Sequence, residues 1–373
     1  MAGIYIHIPF CKKKCHYCDF YFTTNKNNVD KLIDAIELEL ELRKNFFEKS
    51  TIDTIYFGGG TPSMIGAHFI GSITKLIRLN FKLSKKIELT LEANPDDINK
   101  KKILKWKKYG INRISLGIQT LNNKSLKFIN RNHNRATSIK AIKLISNYFH
   151  NYSVDLIYGI PNSSLHEFKY DINEILKFKP KHISAYNMTI EKNTVFSKWL
   201  EKGIIEIQNE NATIKQFNYL KKILKKQKYI HYEISNFCQK NYASKHNLGY
   251  WKRKKYLGIG PSAHSFNGKT RSWNVSNNLK YISSINKKIF SNSTETLTKK
   301  MIINEIIMTG IRNKWGIDNN YLISSFKYDI LKKQKSIIAE LMKEKLIRLN
   351  KSQIIATNKG LLLSNYISEQ LFV

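Results

Sequence analysis

The sequence predicts an α/β protein, a partial (β/α)6 barrel followed by a mostly helical C-terminal appendage. Two observations predict this fold. Six short apolar runs alternate with longer amphipathic runs, which is typical of parallel β-α units. The cysteines, glycines and carboxylates that stand out in the sequence fall just after the apolar runs, where a β-α barrel carries its functional groups.

Each predicted element follows from hydrophobic periodicity and from the residues that interrupt it. The predicted strands cover residues 4–8, 54–57, 87–91, 113–118, 153–158 and 182–188. The predicted helices cover residues 29–47, 66–79, 99–108, 123–148 and 164–177. Right-handed crossovers would curl these strands into a barrel or an open sheet.

The regular alternation ends near residue 200. We expect a barrel core over residues 1–205, an α+β extension over 206–295 and a helical domain over 296–373. The last of these ends in a helix followed by a short hairpin, which resembles a winged helix. A chain of 373 residues accommodates one large domain and a smaller one.

The chain carries a formal net charge of +35, which by itself favours a nucleic-acid partner. Only nine of its 63 basic residues are arginine, however, and phosphate and base recognition depend heavily on arginine forks. A drift in composition towards lysine, asparagine and isoleucine explains the charge more simply. We therefore expect no nucleic-acid partner, a cytoplasmic location and at most peripheral membrane contact, because the sequence shows neither a long apolar run nor a secretory signal.

Three of the four cysteines form a C-x-x-x-C-x-x-C motif directly after the first predicted strand. Cys11, Cys15 and Cys18 supply soft thiolate ligands, which suit an iron-sulfur cluster as metal ligands. Three thiolates hold three corners of a [4Fe-4S] cube. The fourth iron then lacks a protein ligand and can take an exchangeable small molecule.

The alternative to a cluster is a structural zinc site. Such sites use a closed set of four ligands in which the cysteine pairs are usually C-x-x-C, so His7 or His16 would have to complete it. The remaining cysteine, Cys238, lies more than two hundred residues away, and we interpret it as an ordinary buried thiol.

With this cysteine spacing, the sequence resembles the radical S-adenosylmethionine (SAM) superfamily. The resemblance implies that the open iron chelates the amino and carboxylate groups of SAM, and that an electron from the cluster cleaves SAM to a 5′-deoxyadenosyl radical. Over nearly the whole chain, further segments resemble the oxygen-independent coproporphyrinogen III oxidase family. These segments are residues 5–11 (YIHIPFC), 56–63 (YFGGGTPS), 91–95 (LEANP), 115–120 (SLGIQT), 155–161 (DLIYGIP) and 256–265 (YLGIGPSAHS).

The resemblance also implies the residues that bind the cofactor. Backbone carbonyls of a glycine triplet would approach the SAM ammonium, because no side chain intervenes there. Glu92 would reach SAM, Gln119 and Asp155 would hold its ribose or adenosine, and Arg131 would lie near its carboxylate. The full set is Tyr5, Tyr17, Gly58, Gly59, Gly60, Thr61, Glu92, Gln119, Arg131 and Asp155. We assign no catalytic residue.

Two features separate the branches of that family. In the oxidase branch a long extension precedes the first strand, and a further cysteine stands two positions beyond the third cluster cysteine. Here the first strand begins almost at Met1, and Phe20 occupies that position. The sequence therefore resembles the haem chaperone branch, in which coproporphyrinogen oxidation is not expected. The implied partners are haem, haem-accepting proteins and a reductant for the cluster.

A haem carrier needs an axial ligand, an apolar slot and cations for two propionates. His246 is our candidate ligand, because it lies beside aromatic residues within a basic window over residues 211–256. The candidate cations are Lys245, Lys252 and Lys255. The alternative for His246 is a hydrogen-bonded core histidine, and His231 and His264 compete with it as ligands.

Two other functions fit parts of the sequence. The first is an oxidase-type radical SAM enzyme that abstracts hydrogen from a tetrapyrrole propionate. The second is an RNA-modifying radical SAM enzyme, which the basic charge and the winged tail favour. The sequence offers no evident base-stacking module for this second function.

Overall fold

The computed structural model describes residues 2–48, 50–290 and 292–373. Its N-terminal part contains six parallel strands that are hydrogen-bonded in chain order. These strands are β1 (Ala2–Ile8), β2 (Ile52–Gly59), β3 (Leu83–Ala93), β4 (Arg113–Gln119), β5 (Tyr152–Tyr158) and β6 (His182–Asn187). All six predicted strands are confirmed, with bounds that differ by a few residues.

Helices connect these strands and pack against the sheet. They are α1 (Val29–Leu42), α2 (Ala67–Asn80), α3 (Lys100–Lys108), α4 (Asn123–Phe128), α5 (Arg135–Tyr148) and α6 (Leu165–Leu176). The single helix predicted over residues 123–148 is wrong. The chain turns at Asn130, whose φ is +59°, and a new helix begins where the side chain of Asn134 accepts a hydrogen bond from the backbone N–H of Thr137. The break creates the loop that carries Arg131.

The two faces of the six parallel strands differ in polarity. Side chains alternate between the faces of a strand, and one set, such as Ile55 and Phe57 of β2, forms the main core with the helices. The opposite set faces the concave interior of the sheet. It includes Thr54, Tyr56, Glu88, Thr90, Glu92, Arg113, Ser115, Ser153 and Asp155. Barrel interiors are ordinarily filled by branched apolar residues. Here polar side chains take their place, and such side chains are suited to ligand recognition.

The extension continues the barrel sheet at both edges. Its elements are α7 (Val195–Glu201), α8 (Glu210–Lys226), β7 (Ile230–Glu233), β8 (Asn236–Cys238), α9 (Lys245–Trp251), β9 (Tyr256–Ile259), β10 (His264–Phe266), β11 (Thr270–Asn274), α10 (Asn278–Asn286) and β12 (Asn292–Thr296). Strand β9 pairs in parallel with β1, and β8 pairs antiparallel with β6. In the described part of the chain, one twelve-stranded sheet therefore runs β12-β11-β10-β9-β1-β2-β3-β4-β5-β6-β8-β7.

The C-terminal residues form a separate core around a small antiparallel sheet. Its elements are α11 (Lys299–Ile311), β13 (Ile317–Asp318), α12 (Asn319–Phe326), α13 (Ile330–Lys333), α14 (Lys335–Lys343), β14 (Ile347–Asn350), β15 (Gln353–Ala356), α15 (Asn358–Leu362) and α16 (Ser364–Leu371). The strand order is β13-β15-β14. The β14-β15 hairpin after helix α14 agrees with the predicted winged-helix-like appendage. Among the described residues, no helix is both long and apolar enough to cross a membrane.

Candidate functional site

A cavity of about 670 Å³ opens at the C-terminal ends of the barrel strands. It brings together nearly every site residue that the sequence predicts. The predicted residues that line it are Tyr5, Cys11, Cys15, Tyr17, Cys18, Gly59, Gly60, Thr61, Glu92, Gln119, Arg131, Asp155 and His246. Gly58 lies just behind the wall, where a Cβ atom would come within 3.0 Å of the Tyr5 ring and 3.2 Å of the Glu92 carboxyl carbon.

The three cluster cysteines lie on a loop that backbone hydrogen bonds hold in place. The N–H of Cys11 donates to the carbonyl of Thr23 at 3.0 Å, and the N–H of Cys18 donates to the carbonyl of Cys15 at 3.3 Å. Burial raises the pKa of the Cys11 thiol to about 11 and that of Cys18 to about 12. These thiols must therefore release protons when they coordinate iron.

The surroundings of the loop fit a cluster better than a zinc ion. His16 Nδ1 is 2.8 Å from the carbonyl oxygen of Phe128, and His7 Nε2 is 2.9 Å from the carbonyl oxygen of Tyr21. Nδ1 of His7 also lies 3.2 Å from the Tyr5 hydroxyl, so both ring nitrogens of His7 are engaged. The His16 ring packs on Trp199 with centroids 4.7 Å apart and does not line the cavity.

The glycine segment after β2 packs directly against the cysteine loop. The N–H of Gly60 donates to the carbonyl of Ile8 at 2.9 Å, and the N–H of Thr61 donates to the carbonyl of Phe10 at 2.8 Å. A Cβ on Gly60 would lie 2.7 Å from that Phe10 oxygen, so only glycine permits this approach. Gly59 has a φ of +107°, a conformation that L side chains rarely adopt.

Arg131 lies beside the cysteines with part of its guanidinium unused. Its Nη2 donates to Asn94 Oδ1 at 2.5 Å and to the Gly117 carbonyl at 2.9 Å, and Nη1 lies 3.6 Å from Cys15 Sγ. The buried Nε has no hydrogen-bond partner among the described residues. A buried guanidinium with a free donor fits a carboxylate ligand in this cavity.

Glu92 and Asp155 place two carboxyl groups inside the barrel. Glu92 accepts a hydrogen bond from the Tyr56 hydroxyl at 2.7 Å, and Asp155 accepts one from the Ser115 hydroxyl at 2.8 Å. Burial, reinforced by the nearby Asp155, raises the pKa of Glu92 to about 7. Burial also raises the pKa of Asp155. A cationic ligand would favour the ionised form of both groups.

Gln119 ends strand β4 in a left-handed conformation, with a φ of +68°. The turn after it is held by Asp171 of helix α6, whose carboxylate accepts hydrogen bonds from the Thr120 hydroxyl at 2.6 Å and the Leu121 N–H at 3.1 Å. This turn directs Gln119 towards the cavity.

His246 reaches the cavity wall, but both of its ring nitrogens are engaged. Nδ1 is 2.8 Å from Thr54 Oγ1, and Nε2 is 2.9 Å from the Tyr250 hydroxyl. Burial lowers its pKa to about 3, so the ring is neutral at pH 7. The geometry favours the alternative of a hydrogen-bonded core histidine. The competing His231 stacks on Phe237 with ring centroids 4.1 Å apart and does not line the cavity.

The lysines proposed for the haem propionates lie outside this cavity. Lys245 donates to the carbonyl of Lys86 at 2.7 Å, and Lys252 lies over the ring of Trp315. The lysines that line the cavity are Lys12 and Lys13.

Several residues of the site were missed by sequence reasoning. Asn94, which binds Arg131 and Thr61, stands within the LEANP segment and could have been chosen there. Tyr56 and Ser115 orient the two carboxyl groups from neighbouring strands. Both begin segments that resemble the family, YFGGGTPS and SLGIQT, and both alternate with buried apolar residues along their strands.

Comparisons with known proteins relate the chain to a family. The family model described as the radical SAM superfamily matches residues 5–175. The haem chaperone HemW of Lactococcus lactis is 33% identical over 373 residues, covering 99% of this chain and 97% of that protein. HemW of Buchnera aphidicola from Schizaphis graminum is 39% identical over 264 residues, covering 70% of this chain and 69% of that protein.

The chain belongs to the radical SAM superfamily, whose members use a [4Fe-4S] cluster and SAM. Within that superfamily it belongs to the HemW family. The solved structure of Escherichia coli coproporphyrinogen III oxidase (HemN), a radical SAM enzyme, superposes with a TM-score of 0.86 at 20% identity. It covers 100% of this chain and 90% of the oxidase chain, which confirms the fold.

Proposed function

We propose that this protein is a haem chaperone that binds a [4Fe-4S] cluster, SAM and haem and delivers haem to acceptor proteins. The observation that carries the proposal is the full-length similarity to proteins named haem chaperone HemW, which covers 99% of this chain and 97% of the Lactococcus protein. We also propose a cytoplasmic location and an external reductant for the cluster.

The cavity residues support the cofactor part of this proposal. Cys11, Cys15 and Cys18 would hold the cluster, and when bound with SAM the cluster supplies one-electron reductive chemistry. Arg131 lines the cavity with a buried Nε that has no hydrogen-bond partner among the described residues, and its positive charge would attract the SAM carboxylate. Glu92 would accept a hydrogen bond from the SAM amino group while Tyr56 keeps its carboxylate oriented.

Phe20 supports the chaperone assignment over the oxidase assignment. Its side chain is 66% exposed and lines the cavity two positions beyond Cys18. An apolar ring exposed there offers contact area to an apolar ligand such as a porphyrin face.

The test is one anaerobic experiment on the reconstituted protein with two readouts. Haem binding is followed by the Soret band, and haem transfer is followed after adding a purified apo-haem protein. In parallel, coproporphyrinogen, SAM and a chemical reductant for the cluster are supplied, and the release of 5′-deoxyadenosine and protoporphyrinogen is measured. We expect haem binding and transfer without protoporphyrinogen. Stoichiometric protoporphyrinogen formation would replace the chaperone proposal with an oxidase.

A further inference from the structure

A chain of buried hydrogen bonds connects strand β7 with the Asp155 carboxylate of the cavity. His182 Nε2 lies 2.7 Å from the Tyr232 hydroxyl, and His182 Nδ1 lies 2.8 Å from Ser153 Oγ. The Ser153 hydroxyl in turn donates to Asp155 Oδ1 at 3.0 Å. The first three of these side chains are buried and do not line the cavity, so a ligand contacts the chain through Asp155.

The sheet brings the members of this chain together. Ser153 and His182 are directly paired in the neighbouring parallel strands β5 and β6, so their side chains lie on the same face. Asp155 follows Ser153 by two positions and shares that face. Tyr232 comes from β7, where a shift in the register against β8 falls at this residue. An irregularity of this kind re-aims a side chain.

The hydrogens of the chain satisfy every member in one direction. Burial, together with the charge of Arg113, lowers the pKa of His182 well below its usual range, so the ring is neutral and carries one N–H. The backbone N–H of Ser244 donates to the Tyr232 oxygen at 3.4 Å, and among the described residues only His182 Nε2 can accept the Tyr232 proton. The other tautomer would leave that buried proton without an acceptor. The N–H of His182 is therefore at Nδ1 and donates to Ser153.

This direction holds Asp155 as a hydrogen-bond acceptor. Ser153 accepts from His182 and gives its own proton to Oδ1, while Ser115 donates to Oδ2 at 2.8 Å. The Ser184 hydroxyl, 3.2 Å from Ser153 Oγ, is a third donor on this face. A carboxylate has about four lone-pair sites, so Asp155 can still accept from a ligand. The hydroxyl groups of the SAM ribose are donors of that kind.

We propose that His182 is a positioning residue for SAM. Tyr232 holds its ring in the Nδ1–H tautomer, and the ring fixes the direction of the Ser153 hydroxyl. Asp155 is thereby kept oriented as an acceptor for the ribose hydroxyls. His182 acts through Ser153 and Asp155 and does not itself contact the ligand. The inference rests on SAM binding in the proposed function and names the residues behind the cavity wall that determine SAM affinity.

The first measurement reads the tautomer of His182 in the full-length protein before reconstitution. Long-range proton–nitrogen NMR spectra of protein with isotope-labelled histidine distinguish the two neutral tautomers. The His182 signal is the one that is missing from His182→Asn. We expect Nδ1–H in the wild type. Tyr232→Phe should also populate the Nε2–H tautomer, because Nε2 then has no donor.

The second measurement is equilibrium dialysis of SAM against the reconstituted variants. Tyr232→Phe should weaken SAM binding about three- to tenfold. In an Asp155→Asn background the same change should have no further effect, because the chain acts through Asp155. His182→Asn keeps an N–H at the position of Nδ1 and should bind SAM more tightly than His182→Leu, which has none.

Tyr229→Phe is the matched control for Tyr232→Phe. Its hydroxyl is also buried but donates to the carbonyl of Pro180, outside the chain that leads to Asp155. SAM affinity and the His182 tautomer should both stay as in the wild type.

The outcomes separate this inference from the proposed function. An Nε2–H tautomer in the wild-type protein overturns the inference, whatever its SAM affinity. Wild-type SAM affinity in Tyr232→Phe, or an equal loss in the Asp155→Asn background, overturns the positioning role and leaves SAM binding standing. A wild-type protein that binds no SAM overturns the cofactor part of the proposed function and the role of His182 with it.

Discussion

At the scale of single residues, the barrel interior holds buried carboxyl groups and an arginine donor that lack a partner of opposite charge in the described part of the chain. Glu92 and Asp155 are buried with raised pKa values, and Arg131 holds an unpartnered donor. Such groups cost free energy in the absence of a ligand of opposite charge. SAM carries an ammonium and a sulfonium beside a carboxylate, so it complements both kinds of group.

We expect Cys15→Ala to abolish the cluster. Two remaining thiolates cannot hold the cube, so iron content should fall from about four atoms per chain to nearly none and the visible absorbance should disappear. Cys238→Ala is the matched control, because that thiol is buried in β8 and does not line the cavity. Unchanged iron content in Cys15→Ala would refute the cluster assignment.

SAM affinity should rise as pH increases through about 7. The Glu92 carboxyl, whose pKa is raised to about 7, is mostly neutral below that value and anionic above it. The anion accepts stronger hydrogen bonds from the SAM amino group than the neutral carboxyl does. At about pH 8, Glu92→Gln should weaken SAM binding about tenfold, and at about pH 6 the two proteins should differ much less.

Equilibrium dialysis of SAM against the reconstituted proteins measures this pH dependence. Glu41→Gln, at an exposed position of helix α1, is the control and should retain the wild-type pH profile. A Glu92→Gln protein whose SAM affinity still rises with pH would show that another group titrates.

Site residues such as Cys11 and Glu92 could be predicted from the sequence because they stand in motifs at the ends of strands. The partners that orient them could not, because a hydrogen bond such as that from Tyr56 to Glu92 joins strands far apart in sequence. The hydrogen bond between His246 and Thr54 could not be predicted for the same reason, because the two residues are 192 positions apart.

At the scale of elements, helix α6 positions a functional turn. We expect Asp171→Ala to lower the free energy of unfolding by about 1–3 kcal/mol, because the Thr120 hydroxyl and the Leu121 N–H lose a buried acceptor. SAM affinity should fall as well, since that turn directs Gln119. Denaturant melts and SAM binding measure the two effects. His166→Ala on the same helix should change neither, and wild-type values in Asp171→Ala would contradict the assigned role.

The six parallel strands were predictable because buried strands form short apolar runs that are interrupted by polar residues, glycine or proline. The helix pair α4 and α5 was not, because its helical periodicity continues across the break at Asn130. The sequence pattern also did not predict that β9 pairs with β1. Short strands such as Tyr256–Ile259 and Asn236–Cys238 carry too few residues to show a period, and the barrel strands that they pair with lie more than fifty positions away.

At the scale of the whole molecule, two hydrophobic cores meet through a polar contact. The core of the C-terminal region is separate from the barrel core. Backbone hydrogen bonds cross between them, from the Ile234 N–H to the Arg312 carbonyl at 2.8 Å and from the Lys314 N–H to the Tyr232 carbonyl at 3.1 Å. Polar contacts of this kind hold domains together less tightly than shared cores do.

Glu305 of helix α11 is the ionic centre of that contact, and we expect Glu305→Gln to loosen it. Its carboxylate binds Arg253 at 2.8 Å and Arg271 at 2.6 Å, and its side chain is only 14% exposed. Loss of the charge should lower the free energy of local opening by about 1–3 kcal/mol. Because each factor of ten corresponds to about 1.4 kcal/mol, the amides of Ile234 and Lys314 should exchange about ten- to a hundredfold faster.

Hydrogen exchange read by mass spectrometry measures that opening, with Glu340→Gln as the control. Glu340 is exposed on helix α14 of the same C-terminal region. Exchange in β1 to β6 should stay at the wild-type rate in both variants, because the barrel core does not include the C-terminal residues. Wild-type protection of Ile234 and Lys314 in Glu305→Gln would mean that the backbone hydrogen bonds alone hold the two cores together.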